Sequence, residues 1–321
     1  METMIGTNNW KLILRRDGDG VTLLRAATCD ARAALPETLF ALPVRALGDH
    51  ALVPDAASVE GETVTIAGAP CDAPWDNRAL RELSLPHSLR AAGDYALMNC
   101  RALETLRLGD RHIDWGVGAL MNCRALRAVA VTRCGGEPGD AAAYFSGELS
   151  CELELSILGR EGCEARLVFP EYWEEYVENG PAHHFDYQVH GMGQPYHQAF
   201  RGKTLAYYDY DALWRRLISG EPDGAALRLA WWRVRYPAGL TADAAARYRA
   251  YLDAHAAEAL LWLLERRDAA MLADFLRLAD PDADALRAAS ARARELRDAA
   301  ATAALLEAVR RKGAGARRFE L

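Results

Sequence analysis

Apolar positions along this chain follow two periods in three regions, and the most regular region lies between residues 79 and 131. One phrase is written there three times: Ala79-Leu80-Arg81-Glu82-Leu83-Ser84-Leu85, Ala102-Leu103-Glu104-Thr105-Leu106-Arg107-Leu108 and Ala125-Leu126-Arg127-Ala128-Val129-Ala130-Val131, each starting 23 residues after the last. A second phrase recurs at the same offset, Gly93-Asp94-Tyr95-Ala96-Leu97-Met98-Asn99-Cys100 against Gly116-Val117-Gly118-Ala119-Leu120-Met121-Asn122-Cys123. A copy this short buries its apolar face only against a neighbouring copy, so the pattern predicts one coil per repeat in a stacked solenoid. The end of each phrase alternates in and out. Leu83 and Leu85 turn inward and Ser84 outward, and stacked copies pair as short parallel strands.

Upstream, residues 8 to 30 alternate as a hairpin: Trp10, Leu12 and Leu14, the turn Asp17-Gly18-Asp19-Gly20, then Val21, Leu23 and Leu24. This hairpin is expected to cap the first coil. Leu35-Pro36-Glu37-Thr38-Leu39 anticipates Leu85-Pro86-His87-Ser88-Leu89, and Val44 to Leu52 anticipates Leu89 to Leu97 at an offset of 45. That offset is close to two periods, so a degenerate coil is expected between them, with Val64-Thr65-Ile66 as its strand and residues 68–77 as an insertion. Gly48, Gly93 and Gly116 predict tight turns, and Asn99 and Asn122 side chains that satisfy the bend. The order apolar-Gly-x-x-Ala-apolar-x-x-Cys-x-x-Leu-x-x-apolar-x-apolar, over residues 35 to 132, resembles the BspA-type leucine-rich repeat. Leu52, Leu97 and Leu120 stand where that family usually has Phe. The resemblance implies a leucine-rich solenoid and a role in protein or surface binding, as in many bacterial proteins of this type.

After Thr132 the repeat breaks, with a loop at Cys134 to Gly139 and a short helix at 140–147. Leu153 to Ile157 and Ala165 to Pro170 read as two strands joined across Gly159 to Gly162. Tyr172 to Phe200 is rich in aromatics and histidines and reads as a loop region, a peptide-contact surface or a metal site. From Asp209 the period becomes 3.6. Helices are expected around Leu213 to Leu217, from Ala226 to Val234, after the cap Thr241, and as two pairs: Ala257 to Glu265 with Ala269 to Leu278, and Asp282 to Leu296 with Ala299 to Arg311. The pairs weakly resemble degenerate ankyrin-type repeats. The expected fold class is α+β: a hairpin cap at 1–34, a leucine-rich repeat solenoid with short parallel strands at 35–147, a small β-containing middle unit at 148–208, and an all-α helical-repeat region at 209–321.

The composition, 51% hydrophobic and 26% charged, is that of a globular protein, and the formal net charge of −7 disfavours nucleic acid as a partner. No run of 18 apolar residues predicts a membrane span and no apolar signal core precedes Lys11, so a cytoplasmic location is expected. Seven cysteines, an odd count without a C-x-x-C pair, argue against a disulfide framework or zinc ribbon. Cys100 and Cys123 are expected to stack as small buried groups. His183, His184, His190 and His197 fall within fifteen residues, near Glu174, Glu175 and Asp186. Imidazole and carboxylate suit zinc, but no H-x-x-x-H or H-E-x-x-H spacing supports it. No G-x-S-x-G elbow or P-loop occurs.

The reading that follows is a non-catalytic protein-interaction scaffold with no cofactor and a protein or peptide partner. The alternative is a metal-dependent enzyme or regulator using the histidine cluster. Candidate contact residues are Ser84, Arg107 and Ala130 on the strand face, with Asp94, Tyr95 and Trp115 in the turns. Trp115 has two readings, an interface anchor or a ring packed under the next coil at the position of Ala92.

Overall fold

Alternation in the repeated phrases produces strands in register. In the computed structural model, which describes residues 2–135, 138–179, 184–220 and 224–316, Glu82–Ser84, Thr105–Gly109 and Ala128–Thr132 pair in parallel, placing Leu83 beside Leu106 beside Val129. Arg32–Ala34 extends this sheet at one end and Leu153–Gly159 at the other, with Ala33 opposite Leu83 and Leu155 opposite Val129. Gly162–Phe169 then turns back antiparallel. The inward rung Ala33, Leu83, Leu106, Val129, Leu155 and Leu167 is buried throughout. The chain divides into two compact units, Met1–Ala206 and Tyr207–Leu321, and this sheet belongs to the first.

The expected middle unit at 148–208 is therefore corrected at its start, because its two strands belong to the repeat sheet. Leu155 and Ile157 present the same inward face as Val129 and Val131, and the edge of Ala128–Thr132 offers unpaired N–H and C=O groups to whichever strand follows.

A second correction concerns residues 35–85. Phrases 45 residues apart are direct neighbours, with Ala46 and Leu47 paired to Ala91 and Ala92, which pair in turn to Asp114 and Trp115. The His50 N–H donates to Asp94 O at 2.9 Å and Leu52 N–H to Ala96 O at 2.7 Å, repeated one coil later by Tyr95 to Val117 and Leu97 to Ala119. No coil intervenes. The strand Glu62–Ala67 instead pairs antiparallel with Trp10–Asp17 and parallel with Glu2–Ile5. Its period-2 face, Val64 and Ile66, completes the apolar face of Trp10, Leu12 and Leu14, all buried. The hairpin Trp10–Asp17 with Gly20–Ala27 forms as its turn predicts, and Leu23 pairs with Leu47 to join it to the strand Leu42–Leu47.

Within Tyr172 to Phe200, expected as a loop region, a peptide-contact surface or a metal site, Tyr172–Asn179 and His184–Gly191 pair as a two-stranded ribbon. The short helix Ala141–Glu148 precedes the last repeat-sheet strands and buries Phe145.

The second unit is helical, and four of its helices start at a side-chain cap, of which Thr241 was expected. Thr241 accepts from Ala244 N–H, Asp268 from Met271 N–H, Asp282 from Ala285 N–H and Asp298 from Ala301 N–H. Glu265-Arg266-Arg267-Asp268-Ala269-Ala270 recurs 30 residues later as Glu295-Leu296-Arg297-Asp298-Ala299-Ala300. Arg267 and Arg297 both take the left-handed conformation that ends one helix before the capping Asp starts the next. Ala256–Glu265 packs on Ala283–Glu295, and Ala269–Leu278 on Ala299–Ala316, so like helices stack. One buried cluster had no sequence signature. Arg233, fully buried, donates to both Asp211 oxygens at 2.9 and 2.8 Å and to Ala238 O, and Tyr248 donates to Asp211 at 2.7 Å. Burial opposes the Arg233 charge, and Asp211 outweighs it, leaving the guanidinium's pKa above its ordinary value.

Candidate functional site

The candidate residues of the turns are held by the stacking of the coils. A Cβ on Gly116 would lie 2.5 Å from the Asp94 nitrogen, so glycine is needed there for close approach of one turn to the next. The preceding coil's aspartate completes each contact: Asp49 accepts from Asp94 N–H at 2.9 Å and Asp94 from Val117 N–H at 2.8 Å. His50, Tyr95 and Gly118 occupy one left-handed position in successive coils, with φ of 57°, 57° and 60°. The Tyr95 ring lies 5.3 Å from His50, and Asn122 donates to Asn99 at 3.0 Å. Tyr95 is thus half-buried in a side-chain ladder.

On the strand face Arg107 is exposed, Ser84 is half-buried and Ala130 is buried. Ala130 departs from its expected exposure. It lies in register between Arg107 and Ser156, and Arg166 reaches across that face to Ser156 at 2.9 Å, shading the short methyl. Trp115 sits beside Ala92 and stacks on Tyr144 at 5.2 Å, with the edge of Phe145 at 5.4 Å. The helix Ala141–Glu148 therefore covers the Trp115 ring, and burial pushes the Tyr144 pKa up. Cys100 and Cys123 are buried, their thiols donating to the Leu52 and Leu97 carbonyls one coil back. Burial pushes the Cys123 pKa up to about 11.

The histidines fare differently from one another. His183 lies outside the described residues, and His184 contributes backbone to the ribbon. His190 stacks on Trp173 at 5.1 Å and meets Glu175 at 3.0 Å. His197 is buried with Nδ1 2.7 Å from Ser146 O and Nε2 2.9 Å from Pro170 O, so neither nitrogen is open to a metal. Burial lowers its pKa and outweighs the two carbonyls, which raise it. Among the described residues, three potential metal ligands of His, Cys, Asp or Glu type come together at Cys29, Asp30 and Cys71. No short spacing pointed to that group, because Cys71 lies 42 residues from Cys29.

The ribbon carries the most distinctive surface. Residues 167–200 contain Glu171, Glu174, Glu175, Glu178 and Asp186 but no Lys or Arg. Trp173, Tyr176 and Tyr187 are exposed by 56%, 68% and 48%. Strand alternation puts Trp173 and Glu175 on one face, and Tyr176, Tyr187 and Glu174 on the other. Tyr176 and Tyr187 face each other at 5.1 Å. The Tyr187 hydroxyl donates to Glu174 at 2.6 Å, and this bond pushes its pKa up to about 12. The ribbon thus sets exposed aromatic rings beside carboxylates, the two kinds of group that attract ammonium and guanidinium cations.

No protein-family profile and no curated protein matches the chain. Two solved structures align with part of it. A leucine-rich repeat protein of T. pallidum is 16% identical with a TM-score of 0.26, over 37% of this chain and 50% of that one. A leucine-rich cell surface protein of Faecalibacterium prausnitzii A2-165 is 16% identical with a TM-score of 0.24, over 38% of this chain and 35% of that one. The chain thus spans half of the first protein's length and about a third of the second's.

Proposed function

We propose that this protein is a non-catalytic interaction scaffold that grips a Lys- or Arg-rich segment of a partner protein through the ribbon Tyr172–Asn179 and His184–Gly191. In this reading residues 35–132 are a leucine-rich solenoid of BspA type that holds the ribbon's base, and the helical repeats are a second platform. The observation that carries it is three exposed aromatic rings in a 34-residue stretch, 167–200, with five carboxylates and no basic side chain. Isolated exposed apolar residues need no explanation, but Trp and Tyr concentrated on both faces of one ribbon are the residue types that anchor interfaces. Charge complementarity selects a cationic partner, and cation–π contact adds to it at each ring.

The test is binding of the full-length protein to a peptide array spanning acidic, neutral and Lys/Arg-rich sequences. Basic peptides are expected to bind, more weakly as salt rises. Trp173→Ala with Tyr176→Ala is expected to lower affinity at least tenfold, while Arg107→Ala leaves it unchanged. Equal binding of acidic and basic peptides, or binding insensitive to the aromatic replacements, would falsify the assignment.

A further inference from the structure

We propose that Cys29, Asp30 and Cys71 form a binding site for one thiophilic divalent cation of the zinc class. Their ligand atoms lie within 4.8 Å of one another. Side-chain rotation closes that span onto a tetrahedral shell with Zn–S of about 2.3 Å and Zn–O of about 2.0 Å. Two thiols and a carboxylate form a donor set that favours such a cation over the hard cations magnesium and calcium.

The surroundings hold the donors in place. Asp30 Oδ2 accepts from Asn9 N–H at 2.8 Å and Asn8 Nδ2 at 3.1 Å, and Oδ1 accepts from Asn9 Nδ2 at 2.9 Å while facing Cys29 Sγ at 3.9 Å. Asn9 is buried and also binds the segment that carries Cys71, accepting from Gly68 N–H at 3.0 Å and donating to Ala69 O at 2.8 Å. One side chain therefore orients the carboxylate and ties down the loop beside it, the role that groups behind metal ligands play. Cys71 Sγ donates to Cys29 O at 3.5 Å, and Thr28 N–H, one residue before Cys29, donates to Asn77 at 2.8 Å. Asp30 is held by amide donors, and no Lys or Arg pairs with it among the described residues, so its charge is left for a cation to neutralise.

A bound cation displaces the thiol protons directly. Binding exchanges two thiol protons, released to solvent, for two metal–sulfur bonds and one metal–oxygen bond, with no change of oxidation state. Among the described residues no fourth His, Cys, Asp or Glu joins the group, and a water molecule would complete the tetrahedral shell.

The test uses the reduced full-length protein, stripped of metal with a chelator and titrated anaerobically with Co2+. A thiolate-to-cobalt charge-transfer band saturating at one equivalent and erased by Zn2+ is expected. Cys71 is half-exposed, so Cys71→Ser should keep the fold, checked by circular dichroism, and lower affinity at least tenfold. Cys163→Ser, altering another half-exposed thiol, should leave affinity unchanged. Absence of the band, its persistence in Cys71→Ser, or a Cys29–Cys71 disulfide formed in place of metal uptake would each overturn the assignment. None of these outcomes bears on peptide binding by the ribbon.

Discussion

Leu106 is fully buried between Leu83 and Val129, with a neighbour on each side of its rung. Leu106→Ala leaves a cavity that neighbouring coils cannot collapse to fill, and is expected to lower unfolding free energy by about 2 to 5 kcal/mol in urea titration. In the helical unit the bond between Arg233 and Asp211 is the sensitive point. Asp211→Asn leaves a buried guanidinium without its counter-charge, and a loss of about 3 to 5 kcal/mol is expected in the same measurement. Exposed pairs such as Arg81–Glu104 are worth at most about 1 kcal/mol each and do not decide stability. His197 adds a pH dependence. Its pKa is lower folded than unfolded, so the unfolded chain takes up the proton first. Its stabilising contribution is complete above the ordinary histidine value of about 6.5 and is lost as pH falls through the depressed value. His197→Gln, which does not titrate, is expected to flatten the stability profile as pH falls below about 6.5.

At the scale of the element, the coil turn and the helix start obey different rules. The turn at Gly116 is limited by the backbone of the coil beside it, so Gly116→Ala forces two coils apart and should cost about 1 to 3 kcal/mol. Gly147 has open space around its Cβ position inside the helix Ala141–Glu148, and Gly147→Ala should stabilise by about 0.5 to 1 kcal/mol. Opposite signs for one chemical change, read by thermal melting, would separate contact from propensity. Much of this scale was legible in sequence. Asp17-Gly18-Asp19-Gly20 marked its hairpin and Thr241 a helix start, because turns and caps are satisfied by residues a few positions away. The ribbon at 172–191 was not legible, because both faces mix aromatic and acidic residues and leave no apolar alternation to read.

For the whole molecule, the net charge of −7 and the acidic stretch around the ribbon act together at long range. Association with a basic peptide is expected to slow markedly between low and about 0.15 M salt, where the screening length falls to about 8 Å. Stopped-flow measurement checks this: the association rate should fall with salt while the dissociation rate of the aromatic contacts changes little. The sequence by itself determined the repeat strands, their inward leucines and the helices of the second unit, since each follows from periodicity within a short window. It also determined that Cys100 and Cys123 stack, because they share a place in the repeat. Only the tertiary structure decided that phrases 45 residues apart are adjacent coils, that Val64 and Ile66 serve the N-terminal hairpin, and that Leu155 continues the repeat sheet. The same holds for His197 between two carbonyls, Arg233 on Asp211, and Cys71 beside Cys29. Each of these depends on which segments meet across long stretches of chain, and that choice is made by burying whole apolar faces together, a global property that no local spacing encodes.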